Sequence, residues 1–254
     1  SPGNHDWYGD TWFGGRRNIE EVFLPFTSRE LGRPLSKPFY DFQWRHARFL
    51  FLNHYGFDSG WDLEQAKWLP LTLARAQRDP DVRHIFLCAH PGLWNLNYFR
   101  FNEHAVYRSL IKRFPKVSAY LCGHNHFNTT SVWQTGLRRG LMQVSSGPMG
   151  DGRLLPLGQT KLQLNPPPAR RGYQRCFGPG RGYFVITAGA NSVRFDYEDL
   201  GGGRPWSFER HASGRVVELA SPEVQAPKPE KMSRDAIASA RLYLFPYTPD
   251  SRWP

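Results

Sequence analysis

The stretch His84-Ile-Phe-Leu-Cys88-Ala-His90-Pro-Gly92, with its counterpart Val117-Ser-Ala-Tyr-Leu-Cys122-Gly-His124-Asn-His126, decides how this chain folds. Each is a short, mostly apolar run closed by turn-forming residues, the pattern of a strand covered on both faces. Between them, Glu103 to Phe114 carries a helical apolar period and stops at Pro115. Strand, helix and strand in that order predict parallel pairing through a right-handed crossover. Both runs end in histidines. The loops beyond the carboxyl ends of adjacent parallel strands form the ligand crevice of an open α/β sheet, so His90, His124 and His126 are expected at one mouth.

Working outward, Phe39 to Trp44 alternates apolar and polar residues and Ala47 to Asn53 is mostly apolar, which predicts a two-stranded hairpin turning at Arg45-His46. From Asp62, a plausible N-cap, Leu63, Ala66, Leu69, Leu73 and Ala76 recur at helical spacing. Asp79-Pro80 ends that helix, and Pro70 is expected to kink it. Strand-like runs at Leu141 to Val144, Tyr183 to Thr187 and Val193 to Tyr197 predict further sheet rather than more crossover units. The expected class is therefore α/β edged with antiparallel pairs. The Gly/Pro-rich segment from Gly147 to Gly182 has no strand or helix period and reads as a long loop. After Gly201-Gly-Gly203 the chain reads as a polar, Pro-broken extension to residue 254.

With 254 residues and 40% hydrophobic content, the chain suits one domain of ordinary size and excludes a disordered one. No apolar run approaches the roughly 18 residues of a membrane span, and the opening residues do not resemble an export signal, so a soluble, cytoplasmic protein with no membrane partner is expected. The formal charge is +11. It suits phosphate-bearing partners, nucleic acid among them, and equally suits an Arg-rich solvated surface. Part of the excess lies in a basic loop holding Arg153, Lys161, Arg170, Arg171, Arg175 and Arg181. Cys88, Cys122 and Cys176 have no paired spacing, which excludes a disulfide framework and a Cys-built zinc site; Cys88 and Cys122 read as small core residues.

Imidazoles gathered on Gly-flanked turns are ready ligands for a divalent transition metal, with Gly92 and Gly123 expected to let the backbone bend around the ion. A His beyond a strand is just as commonly a hydrogen-bonded loop residue. The third motif is what shifts the balance. The chain opens on Gly3-Asn4-His5-Asp6, so its motifs run Gly-Asn-His-Asp, strand-His-Pro and Gly-His-x-His. That series resembles the third, fourth and fifth signature blocks of the calcineurin-like metallophosphoesterases, over roughly Ser1 to Gly150. The helix around Glu64-Gln65 and Trp68-Leu69 is similar to the family's segment before the fourth block.

The resemblance implies an α/β/β/α four-layer sandwich of two mixed sheets, spanning residues 1–200, with 151–182 a basic loop insertion and 201–254 the extension. It implies hydrolysis of a phosphate mono- or diester substrate at two divalent metal ions, of Fe, Mn or Zn. Asn4, His90 and His124 would bind one ion and His126 the other. His5 would be the catalytic histidine beside the leaving-group oxygen, with Asp6 orienting its imidazole. The family's first two blocks, an Asp-x-His and a Gly-Asp-x-x-Asp, do not occur: Gly9-Asp10 is followed by Phe13, Gly150-Asp151 by Leu154, and only Ser1-Pro2 precede the third block. The expectation is a domain lacking its N-terminal strands, or else a degenerate relative, and in either case a chain of low activity by itself unless Asp10 or Asp58 bridges the ions. A non-catalytic binding module and a nuclease-like or nucleic-acid-binding protein are the alternative readings. Asn53, His54, Asp58, Asp62, Trp94, Asn97 and Tyr98 could line the same mouth, Trp94 and Tyr98 by stacking on an aromatic leaving group.

Overall fold

The computed structural model describes residue 2 and residues 15–53, 61–92, 110–123, 128–134, 140–146, 172–176, 182–200 and 206–220. Helical turns open this region: α1 (Gly15–Asn18), a π-helical turn (Ile19–Phe23) and α2 (Leu24–Leu31). Ile19 and Leu24 bury against Phe39, packed by Leu35 and Trp68. Gly32, at φ 63°, closes α2 in the left-handed conformation, and its amide donates to the Arg29 carbonyl at 3.1 Å.

The hairpin forms where the alternation predicts it. β1 (Tyr40–Trp44) pairs antiparallel with β2 (Ala47–Phe51), with Arg45 at positive φ in the turn. A crossover through α3 (Trp61–Arg78) leads to β3 (His84–Cys88), parallel to β2, and β4 (Val117–Cys122) lies parallel to β3. β5 (Thr129–Gln134), β6 (Gly140–Ser145) and β7 (Gly172–Cys176) complete a seven-stranded mixed sheet ordered β1-β2-β3-β4-β6-β5-β7. β6 runs parallel to β4, so four adjacent strands, β2, β3, β4 and β6, point the same way. A second sheet is antiparallel throughout: β8 (Gly182–Ala188), β9 (Ser192–Asp199), β10 (Trp206–His211) and β11 (Val216–Ala220).

Parallel strands need cover on both faces. On one face of the mixed sheet, Leu69, Leu73 and Ala76 of α3, together with Ile111 from helical residues 110–112, bury against Leu50, Leu52, Ile85, Leu87, Val117 and Tyr120. On the other, Ala47, Phe86, Ala119, Met142 and Val144 meet Val193, Phe195 and Phe208 of the second sheet. Helices, mixed sheet and antiparallel sheet form three layers, with β3 at the centre.

Several sequence expectations need correction. Where the family pattern implies a second mixed sheet, the described strands of that sheet are all antiparallel. β7 lies inside the segment expected to be an unstructured loop and pairs with β5 from Thr129↔Cys176 to Trp133↔Gly172; hydrogen bonding to an existing edge supplies the order that its short, basic sequence does not signal. β10 and β11 lie beyond Gly201, where a polar extension was expected, and their Phe208 and Val216 pack into the core between the sheets. The buried face of α3 is also different. Leu63 is 71% exposed and Ala66 exposed, whereas Gln65, Leu69, Thr72, Leu73 and Ala76 are buried. Those positions follow the i, i+4, i+7, i+8, i+11 spacing of one helix face. Pro70 sits within α3, and the carbonyl it deprives of a helical donor, that of Ala66, belongs to an exposed residue. The helix expected over Glu103 to Phe114 is seen from residue 110; its remainder lies outside the described residues.

Leu73, fully buried where α3 meets β2 and β3, is a direct test of this layer. Leu73→Ala should cost about 2–5 kcal/mol of unfolding free energy, measured by denaturant titration.

Candidate active site

The carboxyl ends of the parallel strands bring Asn53, His90, Gly123 and Ser146 to one edge of the mixed sheet, because strand pairing continues past each strand's last residue. The Leu52 amide donates to the Cys88 carbonyl (2.8 Å), Ala89 to Leu121 (3.0 Å), Gly123 to His90 (2.9 Å) and Ser146 to Cys122 (2.9 Å). The His90-to-Gly123 bond has the clearest consequence. It ties the backbone of the first histidine motif to the residue from which the second one leaves the sheet. Ser145 Oγ adds a bond to the Gly123 carbonyl at 3.4 Å, and the Tyr120 hydroxyl, reaching under the turn, donates to the Pro91 carbonyl at 3.1 Å.

His90 is half-buried on this turn, between buried Ala89 and Pro91. Asn53, at 2% exposure, is held from the helix side. Its amide donates to Gln65 Oε1 at 2.7 Å, and Gln65 Nε2 donates to the Asn53 carbonyl at 2.9 Å. A side-chain amide thereby stands in for a neighbouring strand, satisfying both backbone groups where β2 ends. Gln65 is the residue that apolar periodicity overlooked: counting only apolar side chains selects Leu63 and Ala66, while the burial of a polar Gln is intelligible only once its backbone partners are seen.

Cys88 packs on the second-sheet side and Cys122 on the helix side, so the two are free thiols on opposite faces. Burial pushes both thiols up to about 12, which keeps them protonated core residues and leaves imidazole and oxygen as the donors at this edge. This fits the donor set of the histidine motifs. Gly123 does not act as expected: its φ is not positive, and a Cβ there would lie 3.7 Å from the Ser146 carbonyl, an ordinary contact.

Of the residues singled out in the sequence, Asn53 and His90 stand together at the strand ends. Asp62 lies in the first turn of α3, and Arg175 lies on β7. Asn4, His5, Asp6, His124 and His126 lie outside the described residues, as do Asp10, His54, Asp58, Trp94, Asn97, Tyr98, Arg153, Lys161, Arg170, Arg171 and Arg181. Among the described residues, no three His, Cys, Asp or Glu side chains cluster to hold an ion, and no helix is long and apolar enough to cross a membrane.

No protein-family model matches the chain, and no curated protein matches it either.

Gln65→Met keeps the bulk of the side chain and leaves the Asn53 amide and carbonyl buried without these partners. The expected loss is about 2–4 kcal/mol of stability, together with faster hydrogen exchange at the Asn53 amide.

Proposed function

We propose that the chain belongs to a metal-dependent phosphoesterase of the calcineurin-like kind, hydrolysing a phosphate mono- or diester at the edge where β2, β3, β4 and β6 end. The observation that carries this is the hydrogen bond from the Gly123 amide to the His90 carbonyl, which joins the loops of two of the three motifs across adjacent parallel strands. The serial order of Gly3-Asn4-His5-Asp6, His90-Pro91 and Gly123-His124-Asn125-His126 supplies the rest. In this reading an outer helical layer covers the second sheet, completing four layers.

The histidine motifs supply donors suited to divalent ions, Fe, Mn or Zn, although the carboxylates of the family's first two blocks do not occur in the chain. Asn4, His90 and His124 would hold one and His126 the other, with neutral imidazole nitrogen and amide oxygen as donors. When bound, such a pair supplies Lewis acidity toward the phosphoryl oxygens and lowers the pKa of a water. The chain's own residues do the remaining work. His5 delivers a proton to the leaving-group oxygen as its bond to phosphorus breaks, and Asp6 accepts the other imidazole N–H, fixing the tautomer. Gln65 and the strand ladder hold the backbone of Asn53, His90 and Gly123 in place at this edge.

Two measurements separate the roles. In calorimetric titration with Mn²⁺ or Zn²⁺, His90→Ala and His124→Ala should abolish tight binding while His5→Ala retains it. In p-nitrophenyl phosphate ester hydrolysis, measured with an Asp-x-His and a Gly-Asp-x-x-Asp block supplied ahead of Ser1, His5→Ala should lower turnover by about 10²–10⁴ at unchanged metal content. Tight metal binding that survives His90→Ala or His124→Ala would overturn the assignment.

A further inference from the structure

The end of β3 away from the candidate site carries a second histidine, His84, only 3% exposed and wedged between the two sheets. Both ring nitrogens are engaged. Nε2 lies 2.7 Å from the Gly189 carbonyl in the β8–β9 turn, and Nδ1 lies 2.9 Å from Ser118 Oγ on β4. A carbonyl only accepts, so Nε2 carries the proton of the neutral ring, and Nδ1 accepts from the Ser118 hydroxyl. Close by, Arg210 of β10, 4% exposed, donates across the same interface to the Pro115 carbonyl at 3.4 Å. The apolar seam of Phe86, Ala119, Val193, Phe195 and Phe208 thus ends in two polar ties from sheet to sheet.

We propose that His84 is a pH-sensitive latch between the sheets: uncharged, it fastens the β8–β9 turn of the antiparallel sheet to β3 and β4, and on taking up a proton it loosens that seat. The hydrogen bonds themselves do not oppose protonation. Ser118 Oγ lies 3.3 Å from the Lys116 carbonyl, so its proton can turn there while Nδ1–H donates to the oxygen it leaves exposed. Opposition comes first from burial and then from the positive charge around the ring. The strand itself brings Arg83, the β1–β2 turn His46, and β10 Arg210. Lys116, before β4, holds the Asp79 carbonyl at 2.6 Å. The β8–β9 turn, Gly189 to Asn191, has no ionisable side chain. Asp79 gives its carboxylate to the Asp81 amide at 2.9 Å, and Glu209, on the opposite face of β10 from Arg210, lies 4.0 Å from His211. Burial first, then Arg210, Arg83 and His46, lower the proton affinity of His84 despite the bond to Gly189.

The sign follows from linkage. A released ring titrates near the ordinary value of about 6.5 and the latched ring below it, so between the two values the released state binds more protons. The latch is at full strength above about 6.5, weakens as pH falls through that window, and changes no further below the latched value. Within the window the opening equilibrium shifts by at most about tenfold per pH unit for one proton.

Urea unfolding of the 254-residue chain between pH 5 and 8 tests this against His84→Gln, whose amide can make both hydrogen bonds but does not titrate. The wild type should become easier to unfold below about pH 6.5, and the variant should lack that component; identical pH profiles would overturn the latch. NMR titration of the wild-type ring decides the question even if the variant does not fold: a midpoint at or above about 6.5 rules the proposal out. Amide exchange at pH 5.5, corrected for its intrinsic pH dependence, should accelerate in β8 and β9 ahead of β2 and β3. Equal acceleration in all four strands would mean global unfolding and no latch.

Discussion

β3 meets α3 through Ile85 and Leu87 and the antiparallel sheet through Phe86, while both of its edges pair with parallel strands. That double cover is the constraint on which the rest of the molecule depends. A parallel strand left bare on one face would expose its apolar side chains to water, at a cost of roughly 25 cal/mol per Å² of surface. The crossover helix and the second sheet are the means by which this strand is kept dry. The second sheet therefore has to draw Phe208 and Val216 from beyond Gly201, since β8 and β9 by themselves provide only part of the facing surface.

The same strand organises both ends of the sandwich. At its carboxyl end the ladder runs on past Cys88 and ties His90 to Gly123. At its amino end His84 bridges β4 and the β8–β9 turn. A strand six residues from one histidine to the other separates the edge where the parallel strands end from a contact that holds layers together. The surroundings set the two apart. His90 lies on a half-buried turn, whereas His84 is enclosed with cations.

Much of this was legible in the residues. The hairpin, α3, β3, β4 and their parallel pairing follow from alternation, helical spacing and apolar runs, and the convergence of Asn53 and His90 at one edge follows from parallel pairing alone. β7, β10 and β11 were not legible, because a short strand has little local signal until a neighbouring edge offers it hydrogen bonds. The face of α3 was misread for a related reason. Gln65 is buried to serve the Asn53 backbone, and hydrophobicity cannot report a partner that lies twelve residues away in sequence.

The sequence by itself determined the class of the fold and the central parallel strands, since these depend on local periodicity and on residue chemistry. Only the tertiary structure decided that the second sheet is antiparallel and reaches to Ala220, that Gln65 rather than Leu63 faces inward, and that His84 bridges Ser118 and the Gly189 carbonyl. Each of those outcomes turns on which distant groups come within hydrogen-bonding or packing distance, and a chain's local pattern does not carry that distance.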